Sequence, residues 1–427
     1  MEKTPDNIVR TYLPWLPVLG LLMVISALPY GWSAYQGVGC YTLAIGYGLY
    51  WIGCRRWHEI RWERSKWMYV VMIALWAMIP LRQLFDATPP TDYYMRQMHG
   101  HIWMVYVGVV GIMGFPKELK MKYVVYVMLL TSAVMLGHCL YLYYGTTEME
   151  TLAPFLRFNT LRRTYIHSHM VMNLYVNAAL AMSFCVLRSL PEWWKKGLLL
   201  LAMGVAAMLI LLSDGRNGLF ATLVIGSVSM VYYISRRINI WAGVAATLLL
   251  AGVSVAVLMN QPRINKEKLA MEPRFAIWDY SWRLIKEKPV FGFGLSTLSE
   301  EYVERAYTDK VMYHQFVVPV IRYNSEFREQ GKTMDTHHPH NAFMMYWLAI
   351  GIGGLLLFCA LFVTAACLPV GKNRIFLLLF LFTLWLQCMT EPVGTHLPPQ
   401  LIALMLFVWE STAHSTHPSG TEITPAA

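Results

Sequence analysis

The chain has 427 residues, of which 56% are hydrophobic and only 14% charged, against about 25% charged in an ordinary soluble domain. That deficit excludes a protein whose whole surface faces water. The formal charge of +10 would suit a nucleic-acid binder, but the basic residues are distributed in a way that points elsewhere.

Apolar runs recur along the whole chain and are long enough to cross roughly 30 Å of hydrocarbon. In chain order they cover 13–30, 36–54, 67–81, 102–115, 123–144, 170–187, 197–212, 219–234, 240–259, 342–368, 375–390 and 401–411. Twelve membrane-spanning helices are predicted, because inside a bilayer every backbone polar group must be bonded internally. The runs 102–115 and 401–411 are short, so those helices must borrow flanking residues or one must be re-entrant. Pro14, Pro29, Pro80 and Pro191 fall near span ends and mark helix boundaries. The chain divides into nine spans over 1–259, a long loop over 260–341, three spans over 342–411, and a Ser/Thr/Pro-rich tail over 412–427 expected to be disordered and cytoplasmic.

Charge bias orients the layout. With a cytoplasmic N-terminus, the cytoplasmic segments carry Lys3, Arg10, Arg55, Arg56, Arg61, Arg64, Lys66, Lys117, Lys120, Lys122, Arg188, Lys195, Lys196, Arg236, Arg237, Lys372 and Arg374. The short outside loops hold only Arg82, Arg96, Arg157, Arg162, Arg163 and Arg216. This is the positive-inside pattern. Both termini are predicted inside and the 260–341 loop outside. The net charge therefore reports orientation, and no nucleic-acid partner is implied. The first apolar run follows Lys3 and Arg10 as a signal peptide would, but no small-residue cleavage site follows it, and the helix is expected to be retained. The seven cysteines all lie in or beside spans, with no Cys-x-x-Cys spacing, and read as small packing residues.

The outside loop carries the informative residues. Pro273 to Pro289 brackets a helix on which Phe275, Trp278, Trp282 and Ile285 recur at three- and four-residue steps, predicting one apolar stripe. Such a helix either lies along the outer leaflet or packs on the bundle. Arg274 stands one turn before Trp278, on the same face. Gly292-Phe293-Gly294 follows. In Ser213-Asp214-Gly215-Arg216-Asn217-Gly218 an arginine is confined to the membrane interface by a very short turn. An arginine so placed is paired, functional or snorkelling to lipid phosphate. Asp335-Thr336-His337-His338-Pro339-His340-Asn341 leads directly into the span at 342. Three readings of this histidine cluster stand side by side: a metal site, a general base with supporting neighbours, or capping of the following helix, which Asn341 would supply alone. Arg162, Arg163, His167 and His169 lie just before another span.

Arginines and histidines are thus predicted at the outer mouth of one helical bundle. Arginine forks bind diphosphate oxygens in a bidentate way, and a neutral histidine accepts a hydroxyl proton. The pairing suits attack by a sugar hydroxyl on a sugar–diphosphate–lipid donor. There is no Asp-x-Asp for a divalent metal, and Glu148-Met149-Glu150 is the nearest approach to one. Arginine would then neutralise the leaving diphosphate in place of a metal. A transporter would set its polar residues near mid-membrane, often in repeated halves, and neither feature is evident.

Three motifs together resemble the O-antigen ligase/polymerase superfamily. They are Ser213-Asp214-Gly215-Arg216, then Arg274-Phe275-Ala276-Ile277-Trp278 running on through Ile285 to Gly294, and then His338-Pro339-His340-Asn341-Ala342-Phe343 ahead of Gly351-Ile352-Gly353-Gly354. O-antigen ligases are the best match. The resemblance implies an all-α integral membrane protein of about twelve spans with a GT-C-type glycosyltransferase fold and one long periplasmic loop region, in the bacterial inner membrane. It implies transfer of O-antigen polysaccharide from undecaprenyl diphosphate to a lipid A–core oligosaccharide, inverting and without a metal ion or cofactor. His338 would be the base, with His340 as its rival for that role, and Arg216 and Arg274 would hold the donor diphosphate. His337, His340, Asn341, Ser213 and Trp278 would complete the substrate site, and topology adds Arg162 and Arg163. An O-antigen polymerase or a protein O-oligosaccharyltransferase would use the same donor with another acceptor.

Overall fold

A computed structural model describes residues 11–30, 33–54, 62, 64–86, 89–145, 169–213, 216–237, 239, 241–246, 248–249, 252, 273–308, 339–390 and 408–409. Among them all regular structure is helical. The principal helices are α1 (Trp15–Ala27), α2 (Ser33–Gly53), α3 (Trp67–Gln83), α4 (Asp92–Met113), α5 (Met121–Gly145), α6 (His169–Ser189), α7 (Trp193–Leu212), α8 (Arg216–Arg237), α9 (Pro273–Glu287), α10 (Leu295–Thr308), α11 (Ala342–Ala366) and α12 (Arg374–Thr390). Segments of α5, α6, α7, α8, α11 and α12 are long and apolar enough to cross a membrane, whereas α1, α3 and the Met104–Met113 part of α4 are apolar but shorter. The chain is an all-α, multi-pass membrane protein.

Most predicted spans coincide with a helix to within a few residues. The short run at 102–115 borrows flanking residues, as its length required. Its helix begins at Asp92, where the Thr91 side chain caps it by accepting from the Tyr94 amide at 3.2 Å. The predicted spans 240–259 and 401–411 and the tail fall largely outside the described residues. Pro80 does not end a helix as expected. It lies inside α3, which continues to Gln83. One lost backbone bond near a terminus is tolerable, and the last turn is held from outside, by contacts of Arg82 and Gln83 described below. None of the seven cysteines forms a disulfide, and Cys40, Cys139, Cys185 and Cys388 are buried among apolar neighbours.

The bundle is organised around α6, which packs against α5, α7, α8 and α12 and is the most enclosed of the candidate spans. A second group joins α3, α4 and α11, with α9 and α10 lying against α11. The two groups meet where α11 packs on α12.

Side-chain bonds fix the ends of these helices relative to one another. At one end, Arg188 near the C-terminus of α6 donates to the Tyr232 hydroxyl of α8 at 3.1 Å and to the Lys372 carbonyl, in the turn between α11 and α12, at 2.9 Å. Tyr233 donates to the Phe184 carbonyl at 2.9 Å, and Phe184, Tyr232 and Tyr233 surround Phe376. The N-termini of α6, α8 and α11 therefore all lie at the opposite end.

Candidate functional site

At that opposite end the turn between α7 and α8 is pinned by a buried polar network on α6. Asn173 and Asn177 sit one turn apart in an otherwise apolar helix, and both are almost fully buried. Ser213, just past the end of α7, donates to Asn173 Oδ1 at 3.1 Å. The Asn177 carboxamide donates to the Gly218 carbonyl and to the Asn173 carbonyl, each at 3.0 Å, and accepts from Thr222 Oγ1 at 2.8 Å. Gly218 is required here by close approach, since a Cβ would stand 2.5 Å from the Asn173 side chain. Satisfied in this way, two amides cost little inside the membrane, and they hold the first turn of α8, which begins with Arg216, in one place. Asp214, Gly215 and the Arg216 side chain lie outside the described residues.

The second element is a hairpin of α9 and α10 seated on α11. Pro273 occupies the first turn of α9, followed by the partly buried Arg274. The predicted stripe is rotated. Ile277, Tyr280, Ser281, Leu284 and Ile285 are buried, whereas Phe275 is 62% and Trp282 42% exposed. The reason lies in α10. The Tyr280 hydroxyl donates to the Tyr302 carbonyl at 2.7 Å, and Ser281 Oγ and the Tyr302 hydroxyl are 2.8 Å apart. With their polar atoms satisfied, Tyr280 and Ser281 can face inwards. Trp278 packs edge-on against Phe275 with ring centroids 5.8 Å apart, and its indole N–H is buried with no hydrogen-bond partner among the described residues.

The turn after α9 docks into a break in α11. At Gly351 the helix adopts φ 74° and ψ −167°, a conformation essentially confined to glycine. The carbonyls of Leu348 and Ala349 then accept from the amides of Phe293 at 2.6 Å and Gly294 at 3.0 Å, and Ile352 donates to the Pro289 carbonyl at 3.0 Å. The Trp347 indole donates to that same carbonyl at 2.9 Å. The C-terminal end of α3 closes the arrangement. Arg82 Nε donates to the Phe291 carbonyl at 2.9 Å, Arg82 Nη2 to that of Gly292 at 3.4 Å, and Ser296 Oγ to Gln83 Oε1 at 2.5 Å. Arg82 also lies 3.9 Å from Asp86.

The third element is the entrance to α11. Pro339 is buried, His340 has a left-handed φ of 48°, and Asn341 is 4% exposed. Asn341 Oδ1 accepts from the Met344 amide at 3.1 Å, so this residue caps α11. His337, His338, Arg162 and Arg163 lie outside the described residues. Among the described residues no group of three His, Cys, Asp or Glu side chains is placed to hold a metal ion.

These three elements share one end of the bundle, and they fall inside a single stretch of similarity. Residues 198–359 match the O-antigen ligase family. No curated protein matches the chain. The O-antigen ligase match runs from α7 through the break in α11, and so takes in Ser213, Arg216, Arg274, Trp278, His337, His338, His340 and Asn341. Arg162 and Arg163 stand outside it. The similarity supports an activity of the O-antigen ligase and polymerase type on lipid-linked glycans, in a multi-pass membrane protein.

Sequence reasoning missed Asn173, Asn177 and Thr222, although two amides four residues apart within an apolar run are a legible signal. It also missed α10 and the positioning role of Arg82, which no local pattern announces.

Proposed function

We propose that the chain is an O-antigen ligase, transferring O-antigen polysaccharide from undecaprenyl diphosphate to a hydroxyl of a lipid A–core oligosaccharide. Transfer is inverting and metal-independent, and takes place at the periplasmic face of the bacterial inner membrane within a twelve-span bundle of GT-C type. The single observation that carries this reading is the O-antigen ligase match over 198–359, which encloses all three motifs. The position of Ser213 and Asn341 at the end of the bundle opposite Arg188 and Lys372 supports it.

In this mechanism neutral His338 takes the proton from the acceptor hydroxyl as its oxygen attacks the anomeric carbon of the donor. The bond from that carbon to the diphosphate oxygen breaks, and undecaprenyl diphosphate leaves with the electron pair. Arg216 and Arg274 neutralise the departing charge, each charge-assisted bond contributing about 1.5–3 kcal/mol. Asn341 and His340 hold the entrance to α11 so that His338 meets the acceptor, and Ser213 holds the Arg216 turn. The buried indole N–H of Trp278, which has no partner among the described residues, is a donor available to a glycan oxygen. His337, Arg162 and Arg163 complete the polar mouth.

The test is reconstitution of purified protein with a lipid-diphosphate-linked glycan and lipid A–core, in the presence of chelator. Ligated product is expected from the wild type, with loss of at least about a hundredfold in His338→Ala and in Arg216→Ala. The rate should fall as pH drops below about 6.5, the ordinary histidine value, because a protonated imidazole cannot accept the hydroxyl proton. A profile flat down to about pH 5 would remove His338 from the role of base. Transfer to glycan chains alone would make the protein a polymerase, transfer to protein an oligosaccharyltransferase, and absence of any transfer would favour transport.

A further inference from the structure

The end of the bundle remote from the transfer site carries a second feature that glycosyl transfer does not use. Between α6, α7 and α8 lies an open cavity lined by Arg188, Lys196 and Arg236, by Tyr232 beside them, and by Leu187 and Leu200 on its apolar wall. Three cations thus line a cavity whose remaining lining is leucine and tyrosine. Arg188 is immobilised, its Nη1 donating to Tyr232 and to the Lys372 carbonyl. Arg236 stands over the Tyr232 ring, 5.4 Å from its centroid. Among the described residues no carboxylate pairs with Lys196 or Arg236. Glu192, four residues before Lys196, is paired with Lys195. Trp193 and Trp194 at the start of α7 are 84% and 53% exposed, which is the signature of headgroup depth in a bilayer.

From this geometry we infer an anionic glycerophospholipid site, in which Lys196 and Arg236 take the headgroup phosphate, Arg188 fixes the rim, and an acyl chain lies along Leu187 and Leu200. Basic pockets between helices at the cytoplasmic surface suit such headgroups, each cation contributing about 1 kcal/mol. Simple positive-inside bias would scatter cations over the loops, each solvated or paired. Here they converge on one cavity whose remaining lining is leucine and tyrosine. The site rests on the membrane reading and not on the identity of the transfer reaction.

Native mass spectrometry of the full-length protein in detergent, titrated with dioleoyl phosphatidylglycerol or dioleoyl phosphatidylcholine, tests this directly. Retention of phosphatidylglycerol is expected in preference to phosphatidylcholine. The double variant Lys196→Gln/Arg236→Gln should weaken retention by roughly tenfold or more, while Lys195→Gln, whose cation is already held by Glu192, should leave it unchanged. Equal retention of the two lipids, equal retention by wild type and double variant, or an equal loss in Lys195→Gln would overturn the assignment. Displacement of the lipid by inorganic phosphate at similar concentration would also overturn it, as the site would then recognise free phosphate. Transfer activity is read separately on the same preparations, so failure of the lipid site and failure of the ligase reading are distinguishable.

Discussion

Asn341 was open to several roles in the sequence, and the structure shows what its carboxamide does. Its oxygen accepts from the Met344 amide and the residue is nearly fully buried. Asn341→Ala should therefore cost about 0.5–2 kcal/mol, as loss of an N-cap does, read as a lower thermal midpoint in detergent. Asn341→Ser keeps a capping oxygen and should recover both stability and transfer. Recovery of stability without transfer would instead assign Asn341 a contact with substrate. Asn177 carries more of the site. Replacing it with Ala removes its bonds to the Gly218 and Asn173 carbonyls and from Thr222, leaving only the Thr222 hydroxyl on the Gly218 carbonyl at 2.9 Å. The expected loss is about 1–3 kcal/mol, with transfer falling further than stability because the Arg216 turn is released. Thr222→Val should do less, since it spares the bond from Asn177 to Gly218, and equal effects from both variants would refute this ordering.

At the scale of elements, the break in α11 couples the turn at 289–294 to the helical bundle. A continuous helix would satisfy the Leu348 and Ala349 carbonyls internally and leave nothing for Phe293 and Gly294 to bond. The break at Gly351 makes those carbonyls available, and the loop amides satisfy them. Gly351→Ala meets two obstacles. Its backbone conformation costs a non-glycine residue about 1–3 kcal/mol, and its Cβ would stand 1.9 Å from the Val290 carbonyl oxygen. The 289–294 turn should detach, with protease sensitivity appearing there and transfer lost, while α5 to α8 stay folded. Unchanged proteolysis and activity would show that the break is dispensable. In the hairpin of α9 and α10 the face that packs inwards is set from outside the helix. Apolar spacing picks out Phe275 and Trp282 but leaves open whether they face the bundle or the lipid, whereas Tyr302 supplies the polar partners that turn Tyr280 and Ser281 inwards, and that partner lies some 20 residues away in sequence.

For the whole molecule, the decisive feature is the separation of two ends. Arg188, Tyr232 and Lys372 tie one end, and the Ser213 turn, the docked 289–294 turn and the Asn341 cap lie at the other. Membrane sidedness follows as a prediction. In a background with the exposed Cys367 replaced by Ser, a membrane-impermeant maleimide should label Asp279→Cys from the periplasmic face of intact inner membrane. It should label Lys372→Cys only after lysis. Labelling of both from one face would refute the layout.

The sequence by itself determined the class of the molecule, the positions of most helices and the motifs that the family match later enclosed. Hydrophobic run length, charge bias and short polar motifs are local properties, written along the chain with no need to know what meets what. Tertiary structure alone decided which polar groups are satisfied and by whom. Asn173 meets Ser213 across 40 residues, and Arg82 meets Phe291 across 209. Such pairings arise because a buried donor or acceptor must find a partner wherever the packing of helices brings one, and packing is a property of the bundle as a whole. For the same reason the role of Asn173 and Asn177 emerges only when Ser213 and Gly218 are laid against them, where they fix the first turn of α8.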